Sequence, residues 1–191
     1  MSKARELANL RGTPTDHNIL LQSTAGDALT AGGGTHNIAA GLNALGAATT
    51  GDDNVAIGRL ALGAGVTTGG SNIALGVTAM DALTSGAGNV AIGCNALGAS
   101  TTGACNIAIG CLAMGGTDTT GNDNVAIGGN SGDAMTTGAC NIAIGKNAYS
   151  AATTGSLNIA LGNGALGVGV TTGINNIAIG TDAIDALTTG T

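Results

Sequence analysis

Asn54-Val55-Ala56-Ile57-Gly58 decides how this chain is read, because the same frame recurs along its whole length. It returns as Asn72-Ile73-Ala74-Leu75-Gly76, as Asn106-Ile107-Ala108-Ile109-Gly110 and as Asn176-Ile177-Ala178-Ile179-Gly180. The frame asparagine stands at Asn18, Asn37, Asn54, Asn72, Asn89, Asn106, Asn124, Asn141, Asn158 and Asn176, in steps of 19, 17, 18, 17, 17, 18, 17, 17 and 18 residues. Ten copies at so steady a period describe a solenoid in which each repeat closes one coil and stacks on the next. Helical repeats are excluded by the β-branched residue after every frame asparagine and the glycine four residues on in nine of the ten copies.

Counting from the asparagine as position zero, positions one and three are aliphatic, and position two is alanine in nine copies. That alternation predicts a five-residue strand with large residues on one face and alanine on the other. Filling the roll with the large residues leaves Ala39, Ala56, Ala74, Ala91, Ala108, Ala126, Ala143, Ala160 and Ala178 on a flat, closely approachable outer face, the candidate subunit interface. Glycine at position four bends the chain. Alanine at position seven and usually leucine or methionine at position eight, as in Ala61-Leu62 and Ala96-Leu97, form a second short buried segment. Thr-Thr-Gly then closes the copy, as at 49–51, 101–103 and 153–155. Ten coils at a strand spacing of about 4.8 Å give a rod roughly 45–50 Å long.

The variation among copies has its own period. Asn54, Asn106 and Asn158 head 18-residue coils, each 52 residues from the next, and Asp27, Asp81, Asp133 and Asp185 recur at position nine of every third coil. A three-coil unit has been duplicated. Taking 52 residues as one turn would enclose a wide lumen and stack like charges on one another, so one coil per 17–18 residues is the reading.

Composition narrows the function. The 191 residues include 36 Gly, one Pro, no Trp, no Phe and a single Tyr, Tyr149, so the core is thin and aliphatic. Hydrophobic residues make up 43% and recur in register, which excludes disorder beyond about residue 17. From residue 17 onward only Arg59 and Lys146 oppose nine Asp, a net charge of −7. This surface has no basic footprint for nucleic acid and no polybasic patch for an anionic membrane. No apolar run reaches the roughly 18 residues of a spanning helix, so no membrane insertion is expected. The N-terminus lacks the apolar segment of a secretory signal, which implies export by another route if the protein acts outside a cell. Two His, few carboxylates, and no nucleophile elbow or phosphate loop argue against an enzyme, and no cofactor is expected.

Residues 2–10 predict a short helix capped by Ser2, with Ala4, Leu7 and Leu10 on one face, stopped by Gly12-Thr13-Pro14. Residues 1–16 are thus an N-terminal helix and linker that cap the first coil or attach to a neighbour, and 17–191 form the repeat solenoid. The asparagine column reads as structural, its amides bonding to one another and to turn backbone. His17, His36 and Asp53 precede frame asparagines in three successive coils, but the outer two would lie about 9.6 Å apart, so no metal site is expected. Cys94 and Cys111 share position five in neighbouring coils, where a disulfide is conceivable. Cys105 and Cys140 are two coils apart, too far, and free, partly buried thiols are the expected state.

The frame Asn-Ile/Val-Ala-Ile-Gly-x-x-Ala resembles the head repeats of trimeric autotransporter adhesins. It closely resembles Gly/Thr-rich repeats of bacteriophage tail fibres, over about residues 18–191. The opening Ser2-Lys3-Ala4-Arg5-Glu6-Leu7-Ala8-Asn9-Leu10 also looks like openings of structural proteins of marine phages. Adhesin heads use shorter coils and carry a membrane anchor that is not seen here, which favours the phage side. The resemblance implies a β-roll or β-helix that trimerises and serves attachment to a host surface.

The expectation is therefore an all-β protein, a parallel β-solenoid (β-roll or β-helix) of about ten 17–18-residue coils with a short N-terminal helix, of either hand. Its role would be structural and adhesive, as a phage tail-fibre or appendage component in a virion or extracellular appendage, homotrimeric and in contact with other virion proteins. The alternatives are a self-assembling extracellular filament subunit and an ice-binding β-solenoid. The final segment Leu187-Thr188-Thr189-Gly190-Thr191 ends inside a repeat, so the C-terminal coil is expected to make end-to-end or other contacts.

Overall fold

The computed structural model describes residues 10–11, 17–29, 34–169, 172–185 and 189. Ten three-residue strands follow one another at the frame positions: β2 (Ile19–Leu21), β3 (Ile38–Ala40), β4 (Val55–Ile57), β5 (Ile73–Leu75), β6 (Val90–Ile92), β7 (Ile107–Ile109), β8 (Val125–Ile127), β9 (Ile142–Ile144), β10 (Ile159–Leu161) and β11 (Ile177–Ile179). Each pairs in parallel with the next in sequence, Leu20 on Ala39 in the first pair and alanine on alanine in the rest, as Ala91 on Ala108 and Ala108 on Ala126. The chain is a parallel β-solenoid of one coil per 17–18 residues. A two-residue strand, β1 (Leu10–Arg11), pairs antiparallel with β2 and closes that edge of the sheet. The expected helix falls on residues 2–9, outside the described residues, and Leu10 lies in β1; among the described residues there is no helix.

Hydrogen bonds join neighbouring coils on every side, so the strands are only one of several stacks. In the strand stack Ile107 N–H donates to the Asn124 carbonyl at 2.8 Å. At the corner Leu112 N–H donates to the Cys94 carbonyl at 2.9 Å, in the second segment Leu97 N–H to the Ala113 carbonyl at 3.0 Å, and in the closing segment Thr84 N–H to the Thr101 carbonyl at 2.9 Å.

The core reverses the expectation for the strand. The middle residue is the buried one and its two neighbours are exposed or half-buried: in β5 Ala74 is fully buried, while Ile73 and Leu75 keep 42% and 39% of their surface open, and in β6 Val90 and Ile92 are half-buried beside Ala91. Ala39, Ala56, Ala91, Ala108, Ala126, Ala143, Ala160 and Ala178 are likewise inside at 0–1% exposure. They are therefore lining of their own coil and offer no surface to a second chain, and the aliphatic columns beside them do not fill the roll. The cause is volume. A coil this short already receives the buried alanine of position seven and the large side chain of position eight, such as Leu45, Leu62, Leu97 and Met114. Two more branched side chains per rung would overfill it.

Positions eight and eleven share the remaining space. Leu45 sits with Ala48, Leu97 with Ser100 and Tyr149 with Ala152, and where position eight is Gly132, position eleven is Met135. A Cβ on Gly132 would collide with the Met135 side chain.

Glycine at position four has a specific cause. Gly110 adopts φ 137°, a region L side chains rarely enter, and a Cβ there would stand 2.6 Å from the Gly128 carbonyl oxygen of the next coil. Gly129 is one residue beyond that column, with only the Cys111 carbonyl oxygen 3.9 Å from its Cβ position. Gly110→Ala should lower unfolding stability by about 1–3 kcal/mol from backbone strain, with the clash against the Gly128 carbonyl adding to it, and Gly129→Ala should be close to neutral. Urea denaturation of the two variants checks this; equal midpoints would contradict the corner geometry.

Candidate interaction surface

The residues turned out of the strands compose the most unusual surface of the molecule. Because side chains alternate across a strand, burying position two forces positions one and three outward on every rung. Parallel in-register pairing then stacks them into two columns from Ile19 and Leu21 to Ile177 and Ile179, all Ile, Val or Leu except Ala40. From strand spacing and rise, the face measures roughly 45 Å by 10 Å. It carries no polar side chain along its length. That footprint alone is comparable to the largest apolar patch of a typical soluble monomer, about 300–600 Å² of accessible surface, and such patches mark interaction sites.

The frame asparagines lie just behind one border of this face. Asn37, Asn54, Asn72, Asn89, Asn106, Asn124, Asn141 and Asn158 are buried, and each amide works in two directions. Asn106 Nδ2 donates at 2.9 Å to the carbonyl of Gly121, clasping its own coil shut. Its Oδ1 accepts from Asn124 N–H at 2.9 Å and from Asn124 Nδ2 at 3.1 Å, fixing the next coil. The column starts at Asn18, whose Nδ2 reaches the Gly34 carbonyl at 2.7 Å, and ends at Asn176, whose backbone N–H donates to Asn158 Oδ1 at 2.9 Å.

One flank of the face is the residue before each asparagine. His17 and His36 stack there with ring centroids 5.1 Å apart and planes 1° from parallel, and His36 Nδ1 stands 4.0 Å from Asp53 Oδ1. Among the described residues no group of three or more His, Cys, Asp or Glu is arranged to hold a metal ion. The neighbouring Asp52 carboxylate accepts from Thr35 N–H at 2.6 Å and Thr35 Oγ1 at 3.1 Å, bonds that lower its pKa below the ordinary value. The other flank is position five, with Arg59, Cys94, Cys111 and Lys146. All four cysteines are free, and all are exposed rather than partly buried. The columns that carry them, position five and the residue before the asparagine, point away from the roll.

Elsewhere the surface holds less. Among the described residues the closing turns point one hydroxyl residue outward, such as Thr50, Thr102 and Thr137. Its neighbour is half-buried or buried, as when half-buried Thr84 donates its Oγ1 to the Thr101 carbonyl at 2.9 Å and fully buried Thr119 donates its Oγ1 to the Met135 carbonyl at 2.9 Å. A double row of free threonines is therefore not formed. Asp81, Asp133 and Asp185 each bury an Oδ1 without a hydrogen-bond partner. Burial raises the pKa of Asp81 and Asp133, opposed by nearby backbone N–H groups. They are three coils apart and do not converge on one point.

Tyr149 carries a role that sequence reasoning missed. Its ring is buried at position eight and its hydroxyl accepts from Asn158 Nδ2 at 2.7 Å, tying the core to the asparagine column. Its position in the Leu/Met column was a readable signal for burial, but nothing in the sequence points to Asn158.

Comparison with protein-family models, with curated proteins and with solved structures found no match to this chain.

Two measurements check this geometry. Asn106→Leu leaves the Gly121 carbonyl and the Asn124 N–H buried without partners, and should cost about 2–4 kcal/mol of unfolding stability; an unchanged urea midpoint would contradict the two-way role. Burial pushes Tyr149 up to about 12 against an ordinary value of 10, although the Asn158 bond works the other way. The folded state therefore holds the phenol proton more tightly, so this stabilisation is complete below pH 10 and drains away as pH rises from 10 to 12. Because Tyr149 is the sole tyrosine, tyrosinate absorbance should titrate near pH 12 in the folded protein and near pH 10 in denaturant.

Proposed function

We propose that this chain is a structural, adhesive fibre protein, a component of a phage tail fibre or similar appendage that trimerises and presents a host-attachment surface. The observation that carries the reading is the pair of outward-turned, exposed or half-buried aliphatic columns running the length of the solenoid. A stiff rod with one apolar side is incomplete alone, and three such sides turned toward a common axis remove all of them from water. At about 25 cal/mol per Å² of apolar surface, burying several hundred Å² per chain supplies on the order of 10 kcal/mol before association costs.

The other sides suit presentation. They are closing turns of Thr, Gly and Ala, low in charge and outside the shared axis. End-to-end continuation of coil on coil has less support, since β1 occupies the edge of β2 on which a preceding coil would stack. The resemblance to phage tail-fibre repeats supplies the biological setting, and the frame asparagines and glycines are the residues that carry it.

Light scattering at micromolar concentration should give three times the 17.9 kDa mass of the chain. Ile107→Lys combined with Ile142→Lys places two charges in the middle of the face, at positions that are solvent-exposed in the single chain. That variant should become monomeric while keeping the β-sheet circular dichroism of the parent. A monomeric parent would sink the reading.

A further inference from the structure

We propose that the copies meet on the aliphatic face in one orientation only, parallel and in register, with the flank before the asparagine on one copy against position five of the next. The inference rests on the self-association reading above and deepens it. Two faces brought together in parallel always set one flank against the opposite flank, at equal coil levels when in register. Antiparallel faces set each flank against its own kind, with coil levels reversed.

The charges distinguish the two arrangements. The only cations from residue 17 onward, Arg59 and Lys146, both lie at position five, and the aspartates bordering the face, Asp53 and Asp123, both precede an asparagine. Arg59 and Asp53 belong to the same coil, at opposite ends of β4. In-register parallel copies therefore oppose Arg59 to Asp53 of the next copy. Antiparallel copies aligned end to end bring the third coil against the eighth, and so oppose Arg59 to Lys146. Complementary potentials select the first arrangement and penalise the second. Extending the contact to both flanks widens it to roughly 20 Å by 45 Å, close to the ~800 Å² per partner of a standard stable interface.

Cys105 and Cys111 make the arrangement testable. They are exposed, flank β7 at the same coil level, and lie roughly 15–20 Å apart within one chain from strand rise. A disulfide needs Cα atoms within about 7 Å, so a bond between them can form only between copies. The full chain carrying Cys94→Ser and Cys140→Ser, treated with diamide, is the probe. Diamide accepts the two protons and two electrons released as the two thiols join. The expected product is a covalent trimer on a non-reducing gel, lost when either Cys105→Ser or Cys111→Ser is added. The counterpart retaining only Cys94 and Cys111 should give no cross-link between chains, because only antiparallel copies bring the fifth and sixth coils together. Asp53→Lys should raise the concentration at which the oligomer dissociates several-fold, and adding Arg59→Asp should restore it. An oligomer by light scattering that gives no Cys105–Cys111 link, or that links through Cys94 and Cys111, overturns the orientation while leaving self-association intact. A monomer by light scattering overturns both.

Discussion

The hydrogen bond between one coil and the next is the interaction on which everything else in this molecule depends. No coil has an interior of its own worth the name: most hold an alanine from the strand, a small residue from the facing segment, and one or two larger side chains at positions eight and eleven. What the core lacks in volume is made up by polar pairing that repeats on every side of the coil. The asparagine column is the part that cannot slip. Its amide holds the turn of its own coil and the backbone of the next at once, so losing register at one rung leaves buried polar groups open at two.

That same stacking tolerates a backbone that would otherwise be costly. Leu45, Leu62, Met80, Leu97 and Met114 all hold φ near 50°, a left-handed conformation that bulky residues avoid and that costs on the order of 1–3 kcal/mol each. Each is held because its N–H donates to the following coil, as Leu62 does to the Ala79 carbonyl at 3.0 Å, while its side chain is wholly buried. The segment folds back tightly enough to close a 17-residue coil only through these alternating turns. Strain, short perimeter and small core are three aspects of one geometry.

Much of this was legible in the residues. The spacing of the frame asparagines gives the coil length, the parallel in-register stack and the corner glycines, because each is a consequence of period and of residue types with narrow conformational roles. The phase of the strand was not legible by the ordinary rule. Alternation of Ile, Ala and Ile is equally compatible with either face turned inward, and a shift of one residue exchanges them. Preferring large residues inside is sound for a sheet packed on another layer. It fails in a coil whose interior is already occupied from position eight, and counting the Leu and Met there is the signal that would have found the true phase. For the same reason the alternation alone points to Ala56 and its equivalents as the outer face, when the residues turned outward are the Val55 and Ile57 beside them. The exposure of the cysteines was obscured too, since a small apolar residue at a corner carries no mark of which way it points.

Every rung pairs with the rungs beside it, and from the second coil onward the pattern of long and short coils recurs every three coils. Gain or loss of a 52-residue block therefore leaves each remaining coil with the neighbour it already fits. The reach of the rod becomes a quantity that unequal recombination can change in steps of about 14 Å, without redesigning its cross-section, its core or its aliphatic side.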